Sequence, residues 1–135
     1  MKVPTARILV VDDNAAVLDI LVTCLGEEGY EVSGALTGDE GLELFASACP
    51  DLVLLDITLS DGMNGVEVLK RIRSIDPAAK VVMVTGNPNS ALAREALELG
   101  ALARVDKPFD LAHLKRVVAV ALQPEHSAQR PDSTT

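Results

Sequence analysis

The chain has 135 residues, close to the ~150 that one globular domain typically occupies, so we expect a single core. Apolar residues make up 48% and charged residues 24%, which is typical of a folded protein. The net charge of -8 repels phosphate backbones, so direct binding of DNA or RNA is not expected. No run approaches the ~18 apolar residues of a membrane span and the start lacks the apolar core of a secretory signal, so we expect a cytoplasmic location.

Short runs of Val, Ile and Leu alternate along the chain with longer amphipathic segments. The short runs predict five strands, at Ile8–Val11, around Val32, and at Leu52–Leu55, Val81–Val84 and Ala103–Val105. The longer segments predict five helices, over Asn14–Glu28, Gly38–Ala48, Val66–Ser74, Ala91–Leu99 and Leu111–Leu122. Five strand–helix units in succession predict a single α/β domain, with a doubly wound parallel sheet covered by helices on both faces.

Local signals mark several helix ends. Asn64 and Glu67 have the spacing of a capping box, and Asp110 precedes the last helix as a capping residue does. Gly29 and Gly100 follow helix ends, where a positive φ is needed.

The last part of the chain differs in composition from the rest. Residues 123–135 are polar, contain Pro124 and Pro131, and show no apolar periodicity. Such a segment is typical of a disordered tail or of a linker to a further domain. We therefore expect the folded domain to span residues 5–122.

Polar residues stand at the carboxyl ends of four predicted strands, where the cleft of an open α/β sheet lies. Asp12 and Asp13 follow the first strand, Asp56 the third, Thr85 the fourth and Lys107 the fifth. Three carboxylates held together repel one another, and a divalent cation relieves that repulsion. Oxygen ligands of this kind suit Mg²⁺, which commonly shares its ligands with a phosphate. We therefore expect Mg²⁺ as the cofactor.

A carboxylate in such a site can attack phosphorus and become an aspartyl phosphate. Lys107 and the hydroxyl of Thr85 would then bind the phosphoryl oxygens. The arrangement therefore indicates phosphoryl transfer.

These five positions, in this order and on this alternation of elements, resemble the receiver domain of bacterial two-component response regulators. The resemblance implies a flavodoxin-like sheet with strand order 2-1-3-4-5. It also implies that Asp56 accepts a phosphoryl group from a histidine kinase or phosphotransfer protein. Mg²⁺ would be held by Asp12, Asp13, Asp56 itself and the backbone carbonyl of Thr58.

The resemblance further implies a switch beside the acceptor. Thr85 would be the switch hydroxyl and Lys107 the phosphate-binding lysine, followed by a cis bond to Pro108. The family usually has an aromatic residue three positions before the lysine, where this chain has Arg104. Arg104 is then either a signalling residue or a solvated side chain on an edge strand. The output surface would lie on the last two helices and the last strand, or in a domain outside this sequence.

The segment after the acceptor departs from the family pattern of Asp, three residues, Pro, three residues and Gly. Here the Pro is absent and the glycine, Gly65, comes one residue later after Asp56. We therefore expect a reshaped loop beside the acceptor.

Other readings of these residues remain open. A lone Asp13 would more simply cap the first helix. The chain could be a docking module that works without phosphorylation, or a Mg²⁺-dependent phosphohydrolase with an aspartyl-phosphate intermediate. The phosphohydrolase is disfavoured because Thr58 stands where such enzymes carry a second carboxylate. The leading expectation is therefore a domain that catalyses only its own phosphoryl transfer and dephosphorylation.

Overall fold

The computed structural model describes residues 5–59, 62–87 and 89–123. Within these ranges five strands and five helices alternate along the chain. The strands are β1 (Arg7–Val11), β2 (Glu31–Ala35), β3 (Leu52–Asp56), β4 (Val81–Thr85) and β5 (Ala103–Asp106). The helices are α1 (Ala15–Glu27), α2 (Gly38–Ala48), α3 (Gly65–Ile75), α4 (Ala91–Glu98) and α5 (Leu111–Ala121). Each predicted element is present, and each bound that was predicted lies within about one residue of the observed one.

The strands form one sheet in the order β2-β1-β3-β4-β5, and every neighbouring pair is parallel. This confirms the expected fold class and strand order. Because β1, β3 and β4 are neighbours in this order and run parallel, their carboxyl ends lie next to one another along the same end of the sheet. β5 is an edge strand and is paired with β4.

Apolar side chains cover both faces of the sheet. All residues of β3 and β4 are buried, as expected for parallel strands with helices on either side. On one face the strands pack against α2, α3 and α4, through residues such as Leu55, Met83, Phe45 and Ile72. On the other face they pack against α1 and α5, through residues such as Ile8, Leu54, Leu25 and Leu114. Burial of each of these Leu or Ile side chains stabilises the fold by about 1.5–3 kcal/mol. The two apolar layers therefore hold the strands, and with them the strand ends, in place.

The predicted local signals are present where the structure describes them. Asn64 and Glu67 form a capping box at α3, and the side chain of Asp110 accepts the N–H of Ala112 at the start of α5. Gly29 and Gly100 have φ values of +97° and +94°.

Some sequence predictions fall on parts of the chain that lie outside the described residues. These are the tail beyond residue 123 and residues 60 and 61 of the loop after β3. In the part of the chain that is described, none of the helices has both the length and the apolarity that crossing a membrane requires.

Candidate functional site

Three carboxylates meet at the carboxyl edge of the sheet. Asp12 follows β1 and Asp56 ends β3, and both residues are almost completely buried. Asp13, next to Asp12, is half-buried. One carboxylate oxygen of each residue lies within 4.8 Å of those of the other two. The structure therefore brings together the three acids that the spacing of the strand ends predicts.

The turn from β1 into α1 sets the orientation of Asp12. The backbone N–H of Asp12 donates to the carbonyl of Ala35 on β2 (3.1 Å), and Asp12 Oδ1 accepts the N–H of Asn14 (2.9 Å). Asn14 is the N-cap of α1, since its side chain accepts the N–H groups of Ala16 and Val17. The alternative that Asp13 caps the helix is therefore wrong, because Asn14 is the N-cap of α1. Asp13 lies beside the other two acids instead.

Asp56 is held by a similar turn at the end of β3. Its Oδ1 accepts two hydrogen bonds from Thr58, one from the backbone N–H (2.9 Å) and one from the hydroxyl (3.1 Å). Its Oδ2 accepts a hydrogen bond from the ammonium of Lys107 (3.1 Å). Neither bond from Thr58 was predicted; an Asp at the start of a turn is a signal for the bond from the backbone N–H two residues on, but not for the bond from the hydroxyl.

Lys107 reaches into the cluster from the end of β5. Its ammonium lies 3.1 Å from Oδ2 of Asp12 and 3.1 Å from Oδ2 of Asp56, and its side chain is 26% exposed. Its backbone N–H donates to the carbonyl of Thr85 (2.7 Å), which fixes the start of the side chain beside β4. The peptide bond from Lys107 to Pro108 is cis, as the resemblance implies.

The electrostatics of the cluster follow from burial and like charge. Burial raises the pKa of Asp12 above its ordinary value of 3.8, and the nearby charge of Asp56 acts in the same direction. Hydrogen bonds from Asn14 and Lys107 oppose this rise without cancelling it. Burial alone lowers the pKa of Lys107, but the charges and hydrogen bonds of Asp56 and Asp12 outweigh it, so this pKa lies above 10.5.

Thr85 ends β4 and is completely buried. Its hydroxyl oxygen accepts the N–H of Asn87 (3.0 Å). Among the described residues, the hydroxyl makes no hydrogen bond to Asp56 or Lys107. The residue thus lies at the predicted edge, with its side chain engaged by the following loop.

Arg104 and Asp106 lie on one face of β5 and form an exposed ion pair, with Nε 2.8 Å from Oδ1. Arg104 is opposite Met83 and Asp106 is opposite Thr85 in the β4–β5 register. Asp106 therefore ends a strand, as Asp56 does, without belonging to the acidic cluster.

The loop after β3 ends in a close backbone contact. The N–H of Gly65 donates to the carbonyl of Ile57 (3.0 Å). A Cβ on Gly65 would lie 2.3 Å from the carbonyl oxygen of Asp56 and 2.5 Å from Cα of Ile57. Only glycine lets α3 begin directly against the end of β3, so this residue helps to set the position of Asp56 despite the longer loop.

The donor set of the cluster fits a hard divalent cation. Three carboxylates lie together here, and the ammonium of Lys107 contacts two of them. All three candidate side-chain ligands are oxygen donors, which favours Mg²⁺ over metals that prefer His or Cys.

The fold is a doubly wound α/β domain with five parallel strands, and its acidic cluster is a candidate site for a divalent cation. Comparisons with known proteins identify the family. Residues 8–119 match the response regulator receiver domain. Sporulation initiation phosphotransferase F of Bacillus subtilis is 37% identical over 112 residues, 83% of this chain and 90% of that protein. Regulatory protein AtoC of Escherichia coli is 41% identical over 117 residues, 87% of this chain but 25% of that protein.

Solved structures agree with these relatives. The response regulator receiver domain protein (CheY-like) from Methanospirillum hungatei JF-1 superposes with a TM-score of 0.86 at 35% identity, covering 93% of this chain and all of that one. The chain belongs to the response regulator receiver domain family. It is a receiver domain of two-component signalling, and an acidic pocket that binds Mg²⁺ is general in this family.

Proposed function

We propose that Asp56 is the phosphoacceptor of this receiver domain and that its phosphorylation requires Mg²⁺. The observation that carries the proposal is the placement of its carboxylate. Asp56 is buried beside two further carboxylates, and its Oδ2 contacts the Lys107 ammonium. Asp12 is also buried and also contacts the Lys107 ammonium, but it belongs to the acidic pair with Asp13 after β1, whereas Asp56 is the acid of the cluster that lies on the neighbouring strand β3.

The proposed metal ligands are the side chains of Asp12, Asp13 and Asp56 together with the backbone carbonyl of Thr58. When bound, Mg²⁺ would supply positive charge that reduces the repulsion between the incoming phosphoryl group and the carboxylates of the cluster. The closeness of the three carboxylates, each with one oxygen within 4.8 Å of those of the other two, supports this assignment.

The chain's own residues then have distinct roles. Oδ1 of Asp56 already accepts two hydrogen bonds from Thr58, so Oδ2 is the oxygen that attacks phosphorus. The bond from phosphorus to the donor's leaving atom, an imidazole nitrogen in a phosphohistidine or an oxygen in acetyl phosphate, breaks as the new bond forms. Lys107 moves its hydrogen bond from Oδ2 to a phosphoryl oxygen. The hydroxyl of Thr85 donates its O–H to the phosphoryl group, and because its oxygen accepts the N–H of Asn87 (3.0 Å), its movement shifts the loop that follows β4.

The proposal extends to the partners of the domain. The donor is a sensor histidine kinase or a phosphotransfer protein, and the functional domain spans residues 5–122. The chain spans most of one relative and about a quarter of another, so its target is either a separate protein or an output domain. We place the protein in the cytoplasm, where such donors present their phosphoryl groups. Arg104 is the candidate signalling residue on β5.

A phosphohydrolase is less well supported by the same site. Position 58 carries a hydroxyl that donates to Asp56, and a threonine is not the general acid or base that turnover of a substrate requires. In this proposal the domain catalyses only its own phosphorylation and dephosphorylation and does not turn over a separate substrate.

The test is phosphorylation by a small donor. The full chain is incubated with Mg²⁺ and acetyl phosphate, and intact mass is followed; binding of beryllofluoride is followed by amide chemical shifts. Asp56→Asn removes the proposed acceptor. Asp106→Asn is the matched control, because Asp106 also ends a strand but is exposed and outside the cluster.

We expect one phosphoryl group on the unaltered chain and on the Asp106→Asn variant, and none on Asp56→Asn. Removal of Mg²⁺ by a chelator should also prevent the gain in mass. An unaltered mass together with no binding of beryllofluoride would overturn the proposal and favour a docking module that works without phosphorylation.

A further inference from the structure

β2 is the second edge strand of the sheet, and within the described residues it is paired only with β1. In a parallel ladder, alternate residues direct both their N–H and their C=O to the same neighbour. The carbonyl of Ala35 accepts the N–H of Asp12 (3.1 Å), and the N–H of Glu31 donates to the carbonyl just before β1 (2.9 Å). Val32 and Gly34, which alternate with these residues and are partly exposed, therefore direct their N–H and C=O groups to the free edge.

This edge lacks the features that commonly keep edge strands from pairing with other chains, which are lysine, proline or a bulge. The sequence of β2 is Glu-Val-Ser-Gly-Ala, and its five residues align with β1 without interruption. The opposite edge strand, β5, is one residue shorter and has the exposed ion pair of Arg104 and Asp106. The edge at β2 is therefore the one that is more open to a further strand.

The part of the chain that surrounds this edge is strongly acidic. Residues 8–69 form β1, α1, β2, α2, β3 and the start of α3, and they contain thirteen Asp and Glu residues but no Lys, Arg or His. Apart from Lys2 and Arg7, every Lys and Arg of the chain follows residue 69. Arg7 pairs with Glu31 at the amino end of β2 (2.9 Å) and neutralises one of these acids. The elements around β2 are therefore negative, and a basic partner is the one that they attract.

Two carboxylates lie close to the free edge itself. α1 packs against β2 through Leu18 and Val22, whose side chains a Cβ at Gly34 would meet at 3.0–3.2 Å. Asp19 is exposed and lies one turn before Val22, on the same side of α1. Glu40 of α2 accepts the N–H of the residue that follows β2 (3.1 Å). One acid thus flanks the edge on α1, and the other lies at its carboxyl end.

We propose that the free edge of β2 binds an extended basic segment of a partner protein, which adds to the sheet as a further strand. Val32 and Gly34 supply the backbone hydrogen bonds, while Asp19 and Glu40 attract Lys or Arg side chains of the segment. Main-chain hydrogen bonds give such a complex its affinity, and the charges select the partner. The binding does not require phosphorylation of Asp56.

Two other occupants match the edge less well. A second copy paired edge to edge would bring two acidic sides together, and the like charges would repel. Residues 124–135 of the chain itself include Pro124 and Pro131, which lack the N–H that a strand donates. They also contain two acidic residues against one arginine, so they lack the positive charge that the edge attracts.

The test uses the full chain, labelled with ¹⁵N, and a synthetic hexapeptide that alternates Lys and Val and has both ends blocked. A peptide with Glu in place of Lys is the charge control. We expect the Lys peptide to bind about ten-fold more tightly at low salt, and this difference should shrink as the ionic strength rises. Binding should shift the amide signals of Val32 and Gly34 and slow the hydrogen exchange of both N–H groups.

Methylation of the peptide backbone separates strand addition from attraction between charges alone. Alternate N–H groups of an extended segment face the same neighbour. One version of the Lys peptide is therefore N-methylated at its Lys residues and another at its Val residues, and both keep every charge. We expect one version to bind about ten-fold more weakly, as the loss of two hydrogen bonds allows, and the other to bind as the unmodified peptide does.

Variants of the protein locate the charges. Asp19→Asn combined with Glu40→Gln removes two carboxylates beside the edge, and should weaken the Lys peptide about five-fold. The matched control is Glu95→Gln combined with Glu98→Gln on α4, which packs against β4. It changes the net charge equally and should leave the affinity unchanged. None of the four side chains is buried, so the fold should persist, and thermal unfolding checks this.

Three results would overturn the proposal. The first is binding that is indifferent to N-methylation, and the second is binding that is equal for the double variant at Asp19 and Glu40 and for the unaltered chain. The third is a set of shifts at Val32 and Gly34 that follows the protein concentration without peptide, since a second copy would then occupy the edge. If the Lys peptide binds as expected while Asp56 takes neither phosphoryl group nor beryllofluoride, the proposed function fails and the docking stands.

Discussion

The ammonium of Lys107 lies 3.1 Å from Oδ2 of Asp56, and the same atom lies 3.1 Å from Oδ2 of Asp12. It is the cation that neutralises part of the buried cluster before any metal binds. Breaking an ion pair of this kind is costly because it leaves charge buried without a partner. Lys107 thus has a structural role in the unphosphorylated domain in addition to its proposed role in phosphoryl transfer.

Replacement of Lys107 by Met should therefore destabilise the metal-free domain. We expect a loss of about 1–3 kcal/mol, less than for a fully buried pair because the side chain is 26% exposed. Mg²⁺ should stabilise the Lys107→Met variant more than the unaltered protein, because the cluster without its lysine is more negative. Urea unfolding with and without Mg²⁺ measures both effects.

The control for this experiment is Lys70→Met. Lys70 pairs with Glu95 at 3.2 Å, but both side chains are about half exposed, so the change should be within about 0.5 kcal/mol and insensitive to Mg²⁺. Equal losses in the two variants would show that the bridge between Asp12 and Asp56 contributes no more than a surface ion pair.

The pKa of Asp12 predicts how stability depends on pH. Burial raises this pKa above 3.8 in the folded state, so ionised Asp12 lowers the stability of the metal-free fold. The penalty is fully present above the raised pKa and is lost as the pH falls toward 3.8. The free energy of unfolding, taken relative to that of Asp12→Asn, should therefore rise as the pH is lowered from neutral toward 3.8.

Mg²⁺ provides the check on this interpretation. A bound cation keeps Asp12 ionised in the folded state, so saturating Mg²⁺ should abolish or reverse the rise. Urea unfolding of both proteins at several pH values, with and without Mg²⁺, gives the comparison. A difference that stays constant with pH in the absence of Mg²⁺ would mean that the pKa of Asp12 is not raised.

Much of this site follows from the sequence because strand ends are a local signal. The apolar runs before Asp12 and Asp56 each end at a carboxylate, and parallel strands deliver their ends to one edge. The closeness of Asp12 to Asp56 depends in addition on β1 lying next to β3. That strand order came from the resemblance to receiver domains, since periodicity alone does not order strands.

Side-chain contacts were less predictable because they depend on torsion angles set by tertiary packing. Position at a strand end does not by itself distinguish Asp106 from Asp56, since both residues end strands. The structure separates them through burial, with Asp106 paired to Arg104 at the surface. The contact from the Thr58 hydroxyl to Asp56 also depends on the turn that follows β3.

That hydroxyl contact predicts a specific effect on phosphorylation. A hydrogen bond to an ionised carboxylate is stronger than one to the carbonyl of an acyl phosphate, so the Thr58 hydroxyl favours unphosphorylated Asp56. Thr58→Val should raise the ratio of phosphorylated to unphosphorylated protein about five-fold at fixed acetyl phosphate and Mg²⁺, for a bond of ~1 kcal/mol. Intact mass measures this ratio. Thr58→Ser keeps the hydroxyl and should match the unaltered protein; a ratio for Val equal to that for Ser would contradict the prediction.

Gly65 gives a final prediction, which joins backbone packing to the site. An added Cβ would lie 2.3 Å from the carbonyl oxygen of Asp56, and backbone atoms cannot move aside as a flexible side chain does. Gly65→Ala should therefore cost about 1–3 kcal/mol in urea unfolding and slow the phosphorylation of Asp56, because the end of β3 must shift. Gly26→Ala is the matched control: a Cβ there meets nothing within 4 Å, so alanine should stabilise α1 by about 0.5–1 kcal/mol and leave the phosphorylation rate unchanged. A stable Gly65→Ala variant with a normal rate would show that the start of α3 does not determine the position of Asp56.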